Sequence, residues 1–310
     1  MNNIAPVKNE IQKPILINDL LKFEFFKDAQ VSPKSEATYN RALNQFFKWL
    51  ESECISRPKH DDILRYRDTL LINHKPATVQ AYIGAVRLFF GFMDRRGLYP
   101  NIAEHTKTPS TTRDHKKEAL TAAQVKKVLK GIDKTTSKGL RNYAIMVLLF
   151  TGGLRTIEIS RAKIEGLRTS GGYSVLYIQG KGKTESTDFI KLVPQCDDAI
   201  RDYLKTRPAA APSDPLFCST SNNSTGKPLS TRSISKLAKH ALTNAGFIGD
   251  QYTAHSTRHT AVTLALKSGG SLEEVQQFAR HANISTTLIY AHNLDKLNNT
   301  CGSMIAKAIF

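Results

Sequence analysis

A mainly α fold in two domains, the second holding a small antiparallel β-sheet, is predicted by three features of this 310-residue sequence. Apolar residues recur every three or four positions through roughly the first hundred residues. The composition turns polar and basic near residue 106. Two short segments of strand character flank a Gly-Lys-Gly turn in the second half.

The helical pattern divides into four segments, about 17–29, 35–53, 60–72 and 77–96. The second repeats Tyr39, Leu43, Phe46, Phe47 and Leu50, and the fourth repeats Val79, Tyr82, Ile83, Val86, Phe89 and Phe90. Pro76 stands where a helix start tolerates proline, and Gly97 follows the end of the pattern. Residues 1–105 are therefore expected to form an N-terminal helical domain. The stretch Thr106-Lys107-Thr108-Pro109-Ser110-Thr111-Thr112-Arg113-Asp114-His115-Lys116-Lys117 reads as an exposed basic linker, leaving 118–310 as the second domain.

In that domain Thr121 with Gln124 forms a capping-box pair at a helix start. An apolar helix through Tyr143–Phe150 runs into Thr151-Gly152-Gly153-Leu154-Arg155, where the glycines allow a tight turn. The next helix carries Arg155 and, one turn on, Glu158. Tyr173–Ile178 and Phe189–Val193 read as two strands joined at Gly180-Lys181-Gly182-Lys183, which puts Lys181 at a hairpin tip. The remainder is helical, with one segment over Thr257–Lys267 stopped by Gly269-Gly270. The next is opened by Ser271, with Glu274 at its third position.

Lys and Arg total 44 against 27 acidic residues, a net charge of +17 that favours a polyanionic partner through counterion release. Both parts are basic: 19 against 13 acidic residues through Lys117, and 25 against 14 beyond it. An anionic membrane would also attract such a chain, but no apolar run approaches the ~20 residues of a span. The start, Met1-Asn2-Asn3-Ile4-Ala5, lacks the apolar stretch of a secretory signal, so a soluble, cytoplasmic protein is expected. Cys54, Cys196, Cys218 and Cys301 are widely spaced and form no CxxC pair, which argues against a disulfide framework or a zinc ribbon.

Six polar residues carry the chemistry: Arg155, Lys181, His255, Arg258, His281 and Tyr290. Two fixed cations, a movable proton donor, two imidazoles and a phenol suffice to attack a phosphodiester without a metal or other cofactor. Taken singly each has a blander reading, as a solvated charge, a hydrogen-bonded histidine or a half-buried aromatic. His255 and His259 have the spacing of metal ligands on a helix, but residue 256 is Ser where a zinc-protease motif has Glu.

Their order and spacing change those odds. Arg-x-x-Glu after a glycine turn, Gly-Lys-Gly in a hairpin, His-x-x-Arg-His-Thr, and a His nine residues before a Tyr follow one another as in the tyrosine recombinases, the integrase-like family that includes the Xer proteins. The chain resembles that family over roughly residues 17–297. The resemblance implies that Arg155, Lys181, His255, Arg258, His281 and Tyr290 are the active-site set and that Glu158 supports it. It further implies that the first domain is of the core-type DNA-binding kind.

Three departures stand out: Gly152 where many relatives have Thr or Ala, Thr257 where Leu is common, and Arg280 where Gly usually precedes the histidine. By the same resemblance Tyr290 is the nucleophile of a 3′-phosphotyrosyl intermediate. Arg155 and Arg258 bind the nonbridging oxygens, His255 accepts the phenol proton, Lys181 protonates the leaving 5′-oxygen, and His281 hydrogen-bonds the phosphate.

The implied partner is double-stranded DNA with inverted-repeat core sites. Two domains would clamp it, and a tetramer on two sites would exchange strands through a Holliday junction, with a partner recombinase or accessory protein allowed. Arg41, Lys48, Arg87, Lys183 and Arg280 are expected DNA contacts. The implied setting is the nucleoid of a bacterium, or a gene of a phage or mobile element. A type IB topoisomerase shares the chemistry but would rotate DNA as a monomer. A repressor would use only the helix-turn-helix-like stretch Leu272–His292 and have no need of Arg155, Lys181 or Tyr290.

Overall fold

The computed structural model describes residues 19–110, 118–180, 185–298 and 301–309. The chain divides into two compact units, 1–112 and 113–310.

The first unit contains α1 (Asp19–Ala29), α2 (Pro33–Ser52), α3 (His60–Asn73) and α4 (Pro76–Arg95). Pro33 and Pro76 open their helices, where the missing N–H costs nothing. The Ser32 hydroxyl caps α2 by accepting from the Ser35 N–H, and Asp62 accepts from the Lys59 N–H at the start of α3. The core is aromatic: Phe25, Phe46, Tyr66, Phe89, Phe90 and Phe92 are buried, and Phe46 meets Tyr66 and Phe90 edge to face.

Part of the expected linker belongs to this unit. Thr106 is buried, Arg87 donates to the carbonyls of Ala103 and Thr106, Arg67 to that of Lys107, and Gln80 to that of Pro109. Those bonds fasten the segment after α4 onto its own bundle, which a polar composition could not reveal. Residues 111–117 lie outside the described set.

The second unit contains α5 (Ala122–Lys130), α6 (Ser137–Gly152), α7 (Thr156–Arg161), β1 (Leu167–Ser170), β2 (Tyr173–Ile178), β3 (Asp188–Lys191), α8 (Pro194–Lys205), α9 (Thr231–Asn244), α10 (Ala254–Lys267), α11 (Leu272–Ala279), α12 (Ser285–Asn298) and α13 (Cys301–Ile309). Its sheet is antiparallel in the order β1-β2-β3, with Leu176 opposite Leu167 on one side and Ile190 on the other. The first strand is missing from the sequence reading. Leu-Arg-Thr-Ser carries no alternating apolar pattern, because only its leading Leu167 packs on the core.

The capping box of Thr121 and Gln124 forms as expected, as does that of Ser271 and Glu274. Helix α10 begins at Ala254, a turn earlier than the expected Thr257, so His255 and Arg258 are on the same helix. The core gathers on α6, whose Ala144 to Phe150 are all buried against α8, α10 and the sheet. No helix among the described residues is long and apolar enough to cross a membrane.

Candidate active site

A short turn between α6 and α7 sets the first arginine. Gly153 ends α6 at φ 56°, in the left-handed region, and a Cβ there would press on the Phe278 ring at 3.1 Å. At Gly152 a Cβ would meet the Ile190 Cδ1 at 2.8 Å, so the absence of a side chain lets β3 approach this turn closely. Arg155 then caps α7. Its backbone N–H donates to Glu158 Oε2 at 2.7 Å and its Nη1 to Glu158 Oε1 at 3.0 Å. Glu158 is only 1% exposed, whereas the Arg155 side chain keeps 35% of its surface open. The carboxylate therefore orients a guanidinium whose outer edge remains available to an anion.

Arg258 reaches the same turn from α10, 105 residues on in sequence. Its Nη1 donates to the Gly153 carbonyl at 2.5 Å and its Nη2 to that of Ala279, and the residue is 2% exposed. Two carbonyls use two of its five N–H donors, leaving three for another acceptor. Burial pulls its pKa down to about 10, helped by the charges of Arg155 and Arg280. It still holds its proton at neutral pH.

Tyr290 is assembled from the other side. Helix α11 ends in a Schellman arrangement, the Arg280 N–H donating to the Gln277 carbonyl and the His281 N–H to that of Gln276. The chain then turns into α12, where Asn283 Oδ1 accepts from the Ser285 N–H. His281 Nδ1 shares a hydrogen bond of 2.9 Å with Thr287 Oγ1, and Tyr290 follows Thr287 by one turn. The Tyr290 ring, 3% exposed, stacks on His281 at 6.1 Å between centroids and leans on His259 at 4.8 Å. Burial pushes the phenol's pKa up, while Arg258 and Arg155 oppose that shift.

The structure thus brings Arg155, Glu158, Arg258, His281 and Tyr290 together in one unit. His255 lies in the first turn of α10, exposed, three residues before Arg258. Lys181 and Lys183 lie outside the described residues.

Arg280, expected at the DNA surface, is turned inward. Its side chain is 11% exposed and donates to the carbonyls of Phe278 and Gly153 and to Glu158. Arg41 and Lys48 are exposed and line a groove of about 470 Å³ with Asn40, Asn44 and Tyr82, whereas Arg87 is half-buried and donates to the carbonyls of Ala103 and Thr106.

Two neighbours of the phenol escaped sequence reasoning. His259 carried a signal, its spacing of four from His255, but it pointed to metal ligation; Thr287 carried none. No group of three His, Cys, Asp or Glu side chains able to hold a metal ion occurs among the described residues.

Residues 118–296, more than half of the chain, match the phage integrase family, and residues 22–97 match the phage integrase N-terminal SAM-like domain. The chain belongs to the phage integrase family. It is a tyrosine recombinase, an enzyme of site-specific recombination that cleaves and rejoins DNA strands.

A tyrosine recombinase of Synechococcus elongatus is 27% identical over 320 residues, covering 99% of this chain and 98% of its own length. The tyrosine recombinase XerD of Listeria innocua is 28% identical over 288 residues, covering 89% and 93%. Among solved structures, the XerH site-specific recombinase bound to a palindromic difH substrate in a post-cleavage complex shares the fold. It has a TM-score of 0.75 at 20% identity over 93% of this chain and 84% of its own.

Proposed function

We propose that Tyr290 attacks the scissile phosphate of a DNA core site and forms a 3′-phosphotyrosyl bond, with Arg155 and Arg258 holding the nonbridging oxygens. The observation that carries this reading is the position of the phenol. Tyr290 is buried between two imidazole rings within the field of both guanidiniums, all in the same unit. As the phosphorane forms, charge accumulates on its two nonbridging oxygens, and guanidiniums stay protonated while donating to them.

The phenol must lose its proton as it attacks, and His255, on the face of α10 that carries Arg258, accepts it. Lys181 protonates the departing 5′-oxygen. His281, held by Thr287, donates to the phosphate. Reversal of these steps by the 5′-hydroxyl of another strand rejoins the DNA, because the covalent link conserves the phosphodiester's energy. Neither a metal ion nor ATP has a part in this scheme.

The DNA is a duplex with inverted-repeat core sites. Two sites are paired by four protomers, and strands are exchanged through a Holliday junction. The neighbours solved on DNA, XerH on its difH substrate and a lambda integrase dimer on a core site, support duplex DNA as the partner. In α13 the apolar Met304, Ile305 and Ile309 face outward on the isolated chain, and in the tetramer this helix packs on a neighbouring protomer. Exposed Arg41 and Lys48 touch phosphates from the first unit.

A nicked suicide core site tests the reading. Wild-type protein should become covalently attached to the DNA, with the modified peptide containing Tyr290, and Tyr290→Phe should bind the same DNA without forming the adduct. An adduct on another residue in the mutant would move the nucleophile. Tyr252 is poorly placed for that role, since its hydroxyl donates to Glu118 and the carboxylate raises its pKa.

A further inference from the structure

Arg280 occupies a backbone position that favours a different residue. At φ 53° and ψ 48° it sits in the left-handed region at the end of α11, where glycine is unstrained and asparagine is tolerated. The turn itself has no use for a guanidinium. The contacts of the side chain must outweigh the strain of its Cβ, and those contacts lead inward.

Its Nη1 braces its own turn by donating to the Phe278 carbonyl at 2.8 Å. Its Nη2 donates to Glu158 Oε2 at 3.3 Å and to the Gly153 carbonyl at 3.2 Å. Both acceptors hold the phosphate-binding arginines. Glu158 orients Arg155 through both of its oxygens, and the Gly153 carbonyl accepts from Arg258. Arg258 also donates to Ala279, whose carbonyl belongs to the peptide bond leading into Arg280. Three guanidiniums therefore share one buried carboxylate and one carbonyl, and Arg280 ties the end of α11 to the α6–α7 turn at those two atoms.

The division of labour follows from exposure and valence. Arg155 has an open outer edge, while Arg280 is 11% exposed. By engaging Oε2, Arg280 offsets part of the Glu158 charge that would otherwise draw Arg155 toward the protein and away from an incoming phosphate. With Glu158 counted as −1, the three arginines leave the cluster at +2. That charge suits a phosphorane carrying negative charge on two nonbridging oxygens.

We propose that Arg280 is a positioning residue for strand cleavage. It acts through Glu158 and the Gly153 carbonyl to fix Arg155 and Arg258 relative to each other, and it does not touch the DNA. This rests on the assignment of Arg155, Arg258 and Tyr290 given above.

The test combines single-turnover cleavage of a nicked suicide half-site at saturating protein with half-site affinity measured over a range of salt. The variants are Arg280→Gly, which also relieves the backbone strain, Glu158→Gln, and the double variant. Displacing a distant support of a reacting group can cost ~10²-fold, and Arg280→Gly is expected to slow cleavage by about 10–100-fold. The half-site Kd should stay within about twofold and the salt slope unchanged, since no phosphate contact is lost. In the Glu158→Gln background the same substitution should cost clearly less than it does alone, because the Glu158 contact is already weakened and only the part carried by the Gly153 carbonyl remains to be lost.

Wild-type cleavage by Arg280→Gly overturns the inference. So does a salt slope reduced by about one, the mark of a lost phosphate contact, and so do losses that multiply in the double variant. If the glycine variant does not fold, Arg280→Asn, which also tolerates the left-handed backbone, is read against the same outcomes. Adduct formation by Tyr290→Phe would instead bring down the underlying site assignment. A silent Tyr290→Phe beside a fully active Arg280→Gly would remove only the role of Arg280.

Discussion

The two units bury different things. The first closes over phenylalanines and tyrosines that meet edge to face. Outside tyrosine, every buried polar or charged side chain among the described residues belongs to the second unit, Thr106 excepted. Burying an arginine or a glutamate costs several kcal/mol unless each polar atom finds a partner, with magnitudes of about 1–3 kcal/mol for each one left unpaired. On the proposed reading the first unit only grips DNA and can leave its cations in water, and Arg41 and Lys48 are exposed. A unit that stabilises a transition state holds its cations in fixed geometry before the substrate arrives, and a dry, hydrogen-bonded setting does this.

The largest effect expected from breaking this contrast is at Lys181. Proton donation typically contributes ~10²–10⁴-fold, so Lys181→Ala should cleave slowly. A substrate with sulfur in place of the 5′-bridging oxygen should restore its rate, because a thiolate, whose conjugate acid has a pKa of roughly 8–9, leaves without help. Arg155→Ala should stay impaired on that substrate. Sulfur rescue of Lys183→Ala, with none for Lys181→Ala, would pass the role to Lys183.

Arg258→Ala is next. Loss of one oxyanion-type donor costs about 10²–10³-fold in rate, and the Ala279 carbonyl also loses its partner, at about 1–3 kcal/mol for a buried group left unpaired, while the Gly153 carbonyl keeps Arg280. Cleavage kinetics and thermal melting should therefore fall together. In the first unit, Arg41→Ala should change the salt dependence of binding and leave the melting temperature alone. A melting temperature for Arg258→Ala equal to that of wild type would remove the claim that burial fixes this cation.

A smaller effect concerns pH. The buried Tyr290 phenol is held above its ordinary pKa, so at neutral pH it is protonated and its proton must pass to a base. An imidazole accepts only when neutral, so the cleavage rate should drop as falling pH protonates the accepting imidazole. His255→Ala should flatten that limb. If His259→Ala flattens it and His255→Ala does not, the acceptor is the imidazole that leans on the ring.

The smallest effect belongs to the apolar core. The Tyr66 hydroxyl is buried with no hydrogen-bond partner among the described residues, and burial raises its pKa. Tyr66→Phe should raise stability by about 1 kcal/mol, seen as a higher melting temperature, with cleavage unchanged. A destabilised variant would show that the hydroxyl has a use in that core.

Amphipathic spacing carried most of the helices into view, since burial of one face forces apolar residues to recur with the helical period. The capping pairs Thr121–Gln124 and Ser271–Glu274 were legible for a related reason: a cap is made within one turn of its own sequence. That Arg155, Glu158, Arg258, His281 and Tyr290 belong together was expected from their order and spacing through a family resemblance, and the fold does gather them in one unit. Strand β1 was not, because Leu167-Arg168-Thr169-Ser170 pairs through its backbone and packs on the core through Leu167 alone.

Nor could the chain's order tell that Arg280 turns inward across 122 residues to Glu158, or that Arg87 holds the start of the supposed linker. An arginine in a sequence has the same charge whether it faces water, DNA or a buried carboxylate. Which of these it meets depends on backbone groups brought close from distant parts of the chain, and that proximity exists only once the helices have packed.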